Sequence, residues 1–164
     1  DSCRFIFGVG LAFAPIVIGR VFHRMVVAPP LADALKPTWA IYVVPTAMIY
    51  INFPPLAGER AGLGIDAMLF ITWIVAATIV IASRDCFKWP FGPAWWAYTF
   101  PADALAGAAL RYSSAHPGPI ANAAAWLATI MAIVVVVVVS GRTLAALARG
   151  NWLVAPPASH VRSA

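Results

Sequence analysis

Residues 133–139 are aliphatic without exception, and a run of that kind is stable only where its side chains meet other side chains or lipid. It belongs to one of five apolar stretches, at 5–27, 38–53, 64–83, 94–112 and 119–140. A helix crosses a bilayer with about 20 residues, or fewer when its flanks reach the interface; the second stretch, which ends at Asn52-Phe53-Pro54-Pro55, is the shortest. With 62% apolar residues, 10% charged residues and a mean hydropathy of +0.85, the chain as a whole reads as lipid-embedded. The runs lack the apolar/polar alternation of barrel strands, so helices remain. The expected fold is an all-α membrane protein of about five transmembrane helices, 1–140, with 141–164 as a cytoplasmic tail. Breakers fall between the stretches, at Pro29-Pro30, Pro54-Pro55, Trp89-Pro90-Phe91-Gly92-Pro93 and His116-Pro117-Gly118-Pro119.

One pattern occurs twice. Pro37-x-Trp39-x-x-Tyr42-x-Val44-Pro45 is repeated 56 residues later as Pro93-x-Trp95-x-x-Tyr98-x-Phe100-Pro101. The same offset carries Gly64 onto Ile120, so the helix that follows each motif is also in register. The repeat unit is therefore a hairpin: 37–83 is one, 93–140 is the next, and 5–27 is the second half of a unit whose first half lies upstream. Pro45 and Pro101 each remove a backbone hydrogen bond and crowd the carbonyl one turn earlier, which predicts a kinked helix. Freed carbonyls are tolerated at membrane depth inside protein or beside a water-filled cavity. The proline-bearing helices are thus expected inside the bundle, with the aliphatic ones facing lipid.

Eleven basic residues against six acidic ones make the chain cationic, yet they are scattered among loops and form no stripe suited to nucleic acid. Assigned to alternate sides of the membrane, Arg20, Arg24, Lys36, Arg84, Lys88, Arg142, Arg149 and Arg162 share one side, and Arg4, Arg60 and Arg111 the other. The richer side is expected to be cytoplasmic, with the tail on it. Cys3 and Cys86 then fall at opposite faces, beyond disulfide reach, and are expected to be packing residues. His23, His116 and His160 are isolated from one another and from carboxylates, which argues against a metal site. No nucleophile with its base and no phosphate or dinucleotide loop is present, so neither an enzyme nor a cofactor is expected.

The run Trp95-Trp96-Ala97-Tyr98-Thr99-Phe100-Pro101, the small residues of 102–109 and then Arg111-Tyr112 resemble the ninth helix of the slow-type anion channel and tellurite-resistance/C4-dicarboxylate transporter family. Leu35-Lys36-Pro37-Thr38 with Val44-Pro45 is similar to that family's seventh helix. The likeness covers about 8–140 and implies helices six to ten of ten: half of a quasi-fivefold bundle of tandem hairpins, assembled as a homotrimer, in a bacterial inner membrane. It further implies an anion pore gated by Phe100, the aromatic before the proline. Spacing along the helix puts Ala104, Gly107, Ala108 and Arg111 on the Phe100 stripe as pore-lining candidates, with Val44 at the equivalent place in the first copy. Arg111 would draw anions to the mouth, or serve only as an interfacial anchor.

Asp103 departs from what an anion pore wants, because an ionised carboxylate one turn from the gate repels anions. It is expected to be protonated, paired with a basic group of another helix, turned from the bore, or a coupling acid. Asp66, near the start of its helix, suits the helix dipole. The functions open to such a chain are an anion channel or transporter, a proton-coupled dicarboxylate carrier, and a transport-inactive subunit that assembles a larger membrane complex. The start at Asp1 is expected of an excerpt or a processed product, whose partners are the bilayer and the N-terminal half of the same bundle.

Overall fold

The computed structural model describes residues 2–27, 31–57 and 63–150. Within them lie five α-helices: α1 (Ser2–Val27), α2 (Val43–Ala57), α3 (Leu63–Ala82), α4 (Thr99–Ala115) and α5 (Pro119–Ala148). Two 3-10 segments, Asp33–Tyr42 and Pro93–Tyr98, run directly into α2 and α4. The protein is all-α, and the windows Ser2–Arg20, Gly64–Ala82 and Pro119–Ala148 are long and apolar enough to cross a membrane.

The 56-residue echo is visible in the backbone. The change from 3-10 to α winding falls between Tyr42 and Val43 in the first copy and between Tyr98 and Thr99 in the second, and the following helices begin at Leu63 and Pro119. Pro45 and Pro101 are each the third residue of their α-helix. The missing amide hydrogen thus falls in the turn where bonding passes from three residues back to four, so the interruption takes the form of a change in helix type. The α-helical parts are only 15 and 17 residues long. At about 2.0 Å rise per 3-10 residue and 1.5 Å per α residue, each 3-10 and α pair laid end to end exceeds the ~30 Å of a hydrocarbon core.

Within each hairpin the inner helix packs on the outer one, α2 on α3 and α4 on α5, and α2 also packs on α4. α4 is built for close approach. Ala102, Ala104, Leu105, Ala106, Ala108 and Ala109 are all buried, and small side chains let backbones come near enough for dispersion to hold helices together where no hydrophobic drive exists. One cluster joins Ala102, Leu105, Ala106 and Ala109 to Ala125, Ala128 and Ala132 of α5. A second joins Ala104 and Ala108 to Ala47 and Tyr50 of α2 and Leu69 of α3. Threonine hydroxyls within the helices return to their own backbone, as in Thr72 Oγ1 to Met68 O at 2.7 Å and Thr129 Oγ1 to Ala125 O at 2.8 Å, so these bonds need no water.

α5 runs beyond the expected end at Ser140. It stops at Ala148 because Gly150 adopts φ +68°, the left-handed cap that glycine takes at little cost, and its N–H donates to Leu147 O at 3.0 Å. Residues 151–164, including His160 and Arg162, lie outside the described residues, as does Arg60. Cys3, expected to pack, is exposed on α1, and Cys86 is half-buried; both thiols are free.

Ala108 is fully buried, whereas a Cβ at Gly107 would meet Ile51 Cδ1 at 3.6 Å, an ordinary contact. Ala108→Leu is expected to cost about 1–3 kcal/mol through overpacking, and Gly107→Ala to leave stability unchanged or raise it by about 0.5–1 kcal/mol. Thermal melts of the purified variants in detergent check the contrast.

Candidate functional site

α4 is enclosed except along one line. Phe100, Asp103, Gly107, Leu110 and Ser114 are exposed, while most residues between them are buried. Phe100, at 53% exposure, is the largest side chain of this open stripe. The candidates Phe100, Ala104, Gly107, Ala108 and Arg111 are thereby separated. With about 100° of rotation per residue, Gly107 lies only about 20° from Phe100, whereas Ala104 and Ala108 are turned by about 40° and 80° toward α2. Those two alanines sit in the α2–α4 packing, and Arg111 is half-buried on the border. Val44, the counterpart of Phe100, is half-buried on α2. Asp103 shares the open stripe with Phe100 and, among the described residues, has no ion-pair or hydrogen-bond partner.

The segment leading into Phe100 is held by three separate elements. Trp95 Nε1 donates to Pro90 O at 3.1 Å. Trp96 Nε1 donates to Thr143 Oγ1 of α5 at 3.2 Å, and the Tyr98 and Ser83 hydroxyls share a hydrogen bond of 2.8 Å. The Arg142 guanidinium lies 4.6 Å from the Trp95 ring and 4.7 Å from Phe91, a geometry that the negative faces of both rings stabilise. Phe87, Phe91 and Tyr98 surround the same indole, with ring centroids 5.4–6.4 Å away. Nearby, Lys36 caps Trp89 at 5.4 Å, and Trp89 meets Trp39 edge-on. Lys36, Arg84, Lys88 and Arg142, which charge counting assigned to one side, thus gather at one end of the bundle amid aromatics, as at a membrane–water interface.

The first copy of the motif lacks this support. Trp39 Nε1 and Tyr42 Oη are buried without a hydrogen-bond partner. The residue 56 before Ser83 is Val27, which has no hydroxyl to offer the bond that Ser83 makes with Tyr98. Asp33, Lys36, Trp39 and Tyr42 nonetheless share one face, because side chains three apart eclipse in a 3-10 helix, and Lys36 Nζ pairs with Asp33 at 2.6 Å. At the loop after α3, Lys88 bonds Asp85 at 2.6 Å and holds its carboxyl below the usual range, while Arg84 stands off at 3.7 Å. Neither the Arg142 stack nor the Ser83–Tyr98 bond was legible in the sequence. The available signal was that a buried tyrosine or tryptophan needs a polar partner.

An all-α membrane protein with repeated 3-10-to-α inner helices, each carrying a proline in its first α turn, is the class that this geometry defines. The family model for the voltage-dependent anion channel matches residues 2–144, and the chain belongs to that family. It is similar to the guard cell S-type anion channel SLAC1 of Arabidopsis thaliana, 24% identical over 118 residues, covering 72% of this chain and 21% of that protein. It is also similar to the S-type anion channel SLAH2 of Arabidopsis thaliana, 27% identical over 114 residues, covering 70% and 22%. The chain thus spans about a fifth of the length of these curated relatives. No solved structure matches it.

Arg142 makes its ring contacts half-buried, where such a stack is worth about 0.5–2 kcal/mol. Arg142→Gln should lower stability by that amount and Arg142→Lys by less, read by thermal melts followed in the near-ultraviolet signal of the tryptophans. Equal stability for all three proteins would mean that the stack holds nothing.

Proposed function

We propose that this chain is part of an anion channel or transporter in which Phe100 obstructs the passage for small inorganic or organic anions. The observation that carries the reading is the open stripe of α4: in a helix otherwise sealed mostly by alanines, the bulkiest exposed side chain stands directly before Pro101. Its backbone is anchored through Trp95, Trp96 and Tyr98, so the ring's direction is set by elements that need not move with it. An aromatic ring across a narrow apolar bore blocks hydrated ions by size and by dewetting. Membership of the voltage-dependent anion channel family supports the same reading, as do the names of the two plant relatives. Upstream helices would supply the rest of the wall, a homotrimer would be the assembled form, and the cationic end with the C-terminus would face the cytoplasm of a bacterial cell. Small residues such as Gly107 would leave room along the passage, and Arg111 would attract anions to the far mouth.

A second reading has its own observation. Asp103 stands on the same open stripe and has no basic partner among the described residues. A carboxyl within a membrane helix is suited to carry a proton, so a proton-coupled carrier of dicarboxylates uses this residue as its coupling acid. Protonation would also remove the charge that repels an arriving anion.

Phe100→Ala in the full-length protein is expected to raise anion conductance in planar bilayers severalfold; unchanged conductance in a correctly folded variant would remove Phe100 from the gate. For the carrier, anion uptake driven by a pH gradient should be abolished in Asp103→Asn, and a gradient dependence that survives the substitution would exclude coupling through this carboxyl.

A further inference from the structure

Behind α4, on the side away from Phe100, an apolar groove of about 390 Å³ opens between α3 and α5. That volume lies in the ordinary range for small ligands, about 300–1,000 Å³. Its floor is Pro101, Ala102 and Leu105, the back of the turn that carries Phe100. Ile79 and Val80 form one wall, and Val134 and Val138 the other; Val80 and Val134 are more than half exposed. Along α3 and just past its end the lining runs from Ala76 to Arg84, and along α5 from Met131 to Val139. At about 1.5 Å per residue each run is about 12 Å long, close to the ~15 Å depth of one leaflet's hydrocarbon.

The groove is polar only at one end. Arg84 stands at its rim just beyond the last residue of α3, with its side chain 80% exposed. The neighbouring carboxylate of Asp85 is engaged more closely by Lys88, at 2.6 Å against 3.7 Å. At the inner wall the Ser83 and Tyr98 hydroxyls satisfy each other, so they make no demand on an occupant. A cation at interfacial depth above an aliphatic slot one leaflet deep is complementary to one kind of molecule: an amphiphile with an anionic head and a hydrocarbon tail, entering from the leaflet on the Arg84 side.

We propose that this groove binds one acyl chain of an anionic membrane lipid, whose headgroup phosphate is held by Arg84, and that the bound chain braces the gate turn from behind. Only the bracing rests on the reading of Phe100 as a gate; lipid binding does not. The chain fills space against Pro101, Ala102 and Leu105 that is otherwise empty, and its removal lets the turn before Gly107 move outward.

Native mass spectrometry of the full-length protein, released from nanodiscs of phosphatidylcholine with or without phosphatidylglycerol, tests the binding. Phosphatidylglycerol should be retained by the unaltered protein. Arg84→Gln should lower that retention about fivefold, as expected for one interfacial cation, without changing retention of phosphatidylcholine. Val134→Phe, which fills the slot from an exposed position, should displace the lipid while Arg84 remains. Retention unchanged in both variants would overturn the proposal. So would disulfide cross-linking between protomers through Val134→Cys, because a second copy of the chain would then occupy the groove. Conductance of the same nanodisc preparations reads the bracing separately: phosphatidylglycerol should alter it in the unaltered protein, and not in Arg84→Gln. If Phe100→Ala leaves conductance unchanged while lipid retention follows the expected pattern, the gate reading fails and the lipid site stands.

Discussion

A proline within an apolar helix removes a backbone donor and leaves a carbonyl that water cannot reach, and the architecture of this protein answers that constraint twice. In both copies of the motif the proline sits in the first α turn after a 3-10 segment, where the bonding pattern is already changing. The tighter winding before it stretches the chain, so that α-helical parts of 15 and 17 residues suffice for inner helices. It also eclipses residues three apart, which stacks Trp39 with Tyr42 and Trp95 with Tyr98 on one face. The aromatic clusters at the cationic end follow from that stacking.

Alanine solves the other half of the problem. Between lipid-embedded helices hydrophobicity does little to drive association, and closeness must do the work. The buried faces of α4 and α5 are mostly alanine, which lets α4 sit between α2 and α5 while exposing a single narrow stripe. Phe100 and Asp103 are prominent because the buried residues of α4 beside them are mostly small.

The two copies share a scaffold and differ in its support. In the second, the indole of Trp95, the indole of Trp96 and the hydroxyl of Tyr98 all find partners, and Arg142 is stacked on the aromatic cluster. In the first, Trp39 and Tyr42 bury their polar atoms unpaired. Repetition therefore extends to the backbone and the motif, while the bonds that hold the motif belong to one copy. Val44 and Phe100 differ in the same sense, one half-buried and the other open.

Much of the fold was legible in the residue order. The apolar runs specified the solvent, prolines and glycines specified where helices start, and the 56-residue echo specified which helices are equivalent; these depend on local composition and spacing alone. Family membership was legible too, because the motif from Trp95 to Pro101 is contiguous. The end of α5 was not, since one glycine in a left-handed conformation decided it. Nor was the division of the α4 stripe: spacing placed Ala104 and Ala108 beside Phe100, but a drift of about 40–80° moves them into the interface with α2. The Arg142 stack, the Ser83–Tyr98 bond and the groove behind Pro101 join residues from helices separate in sequence, so only the tertiary packing could bring them together. The sequence by itself determined the helices and their order, because periodicity and backbone chemistry are local. Which face of each helix is open was decided by the packing, because burial belongs to neighbours that the chain meets only once it has folded.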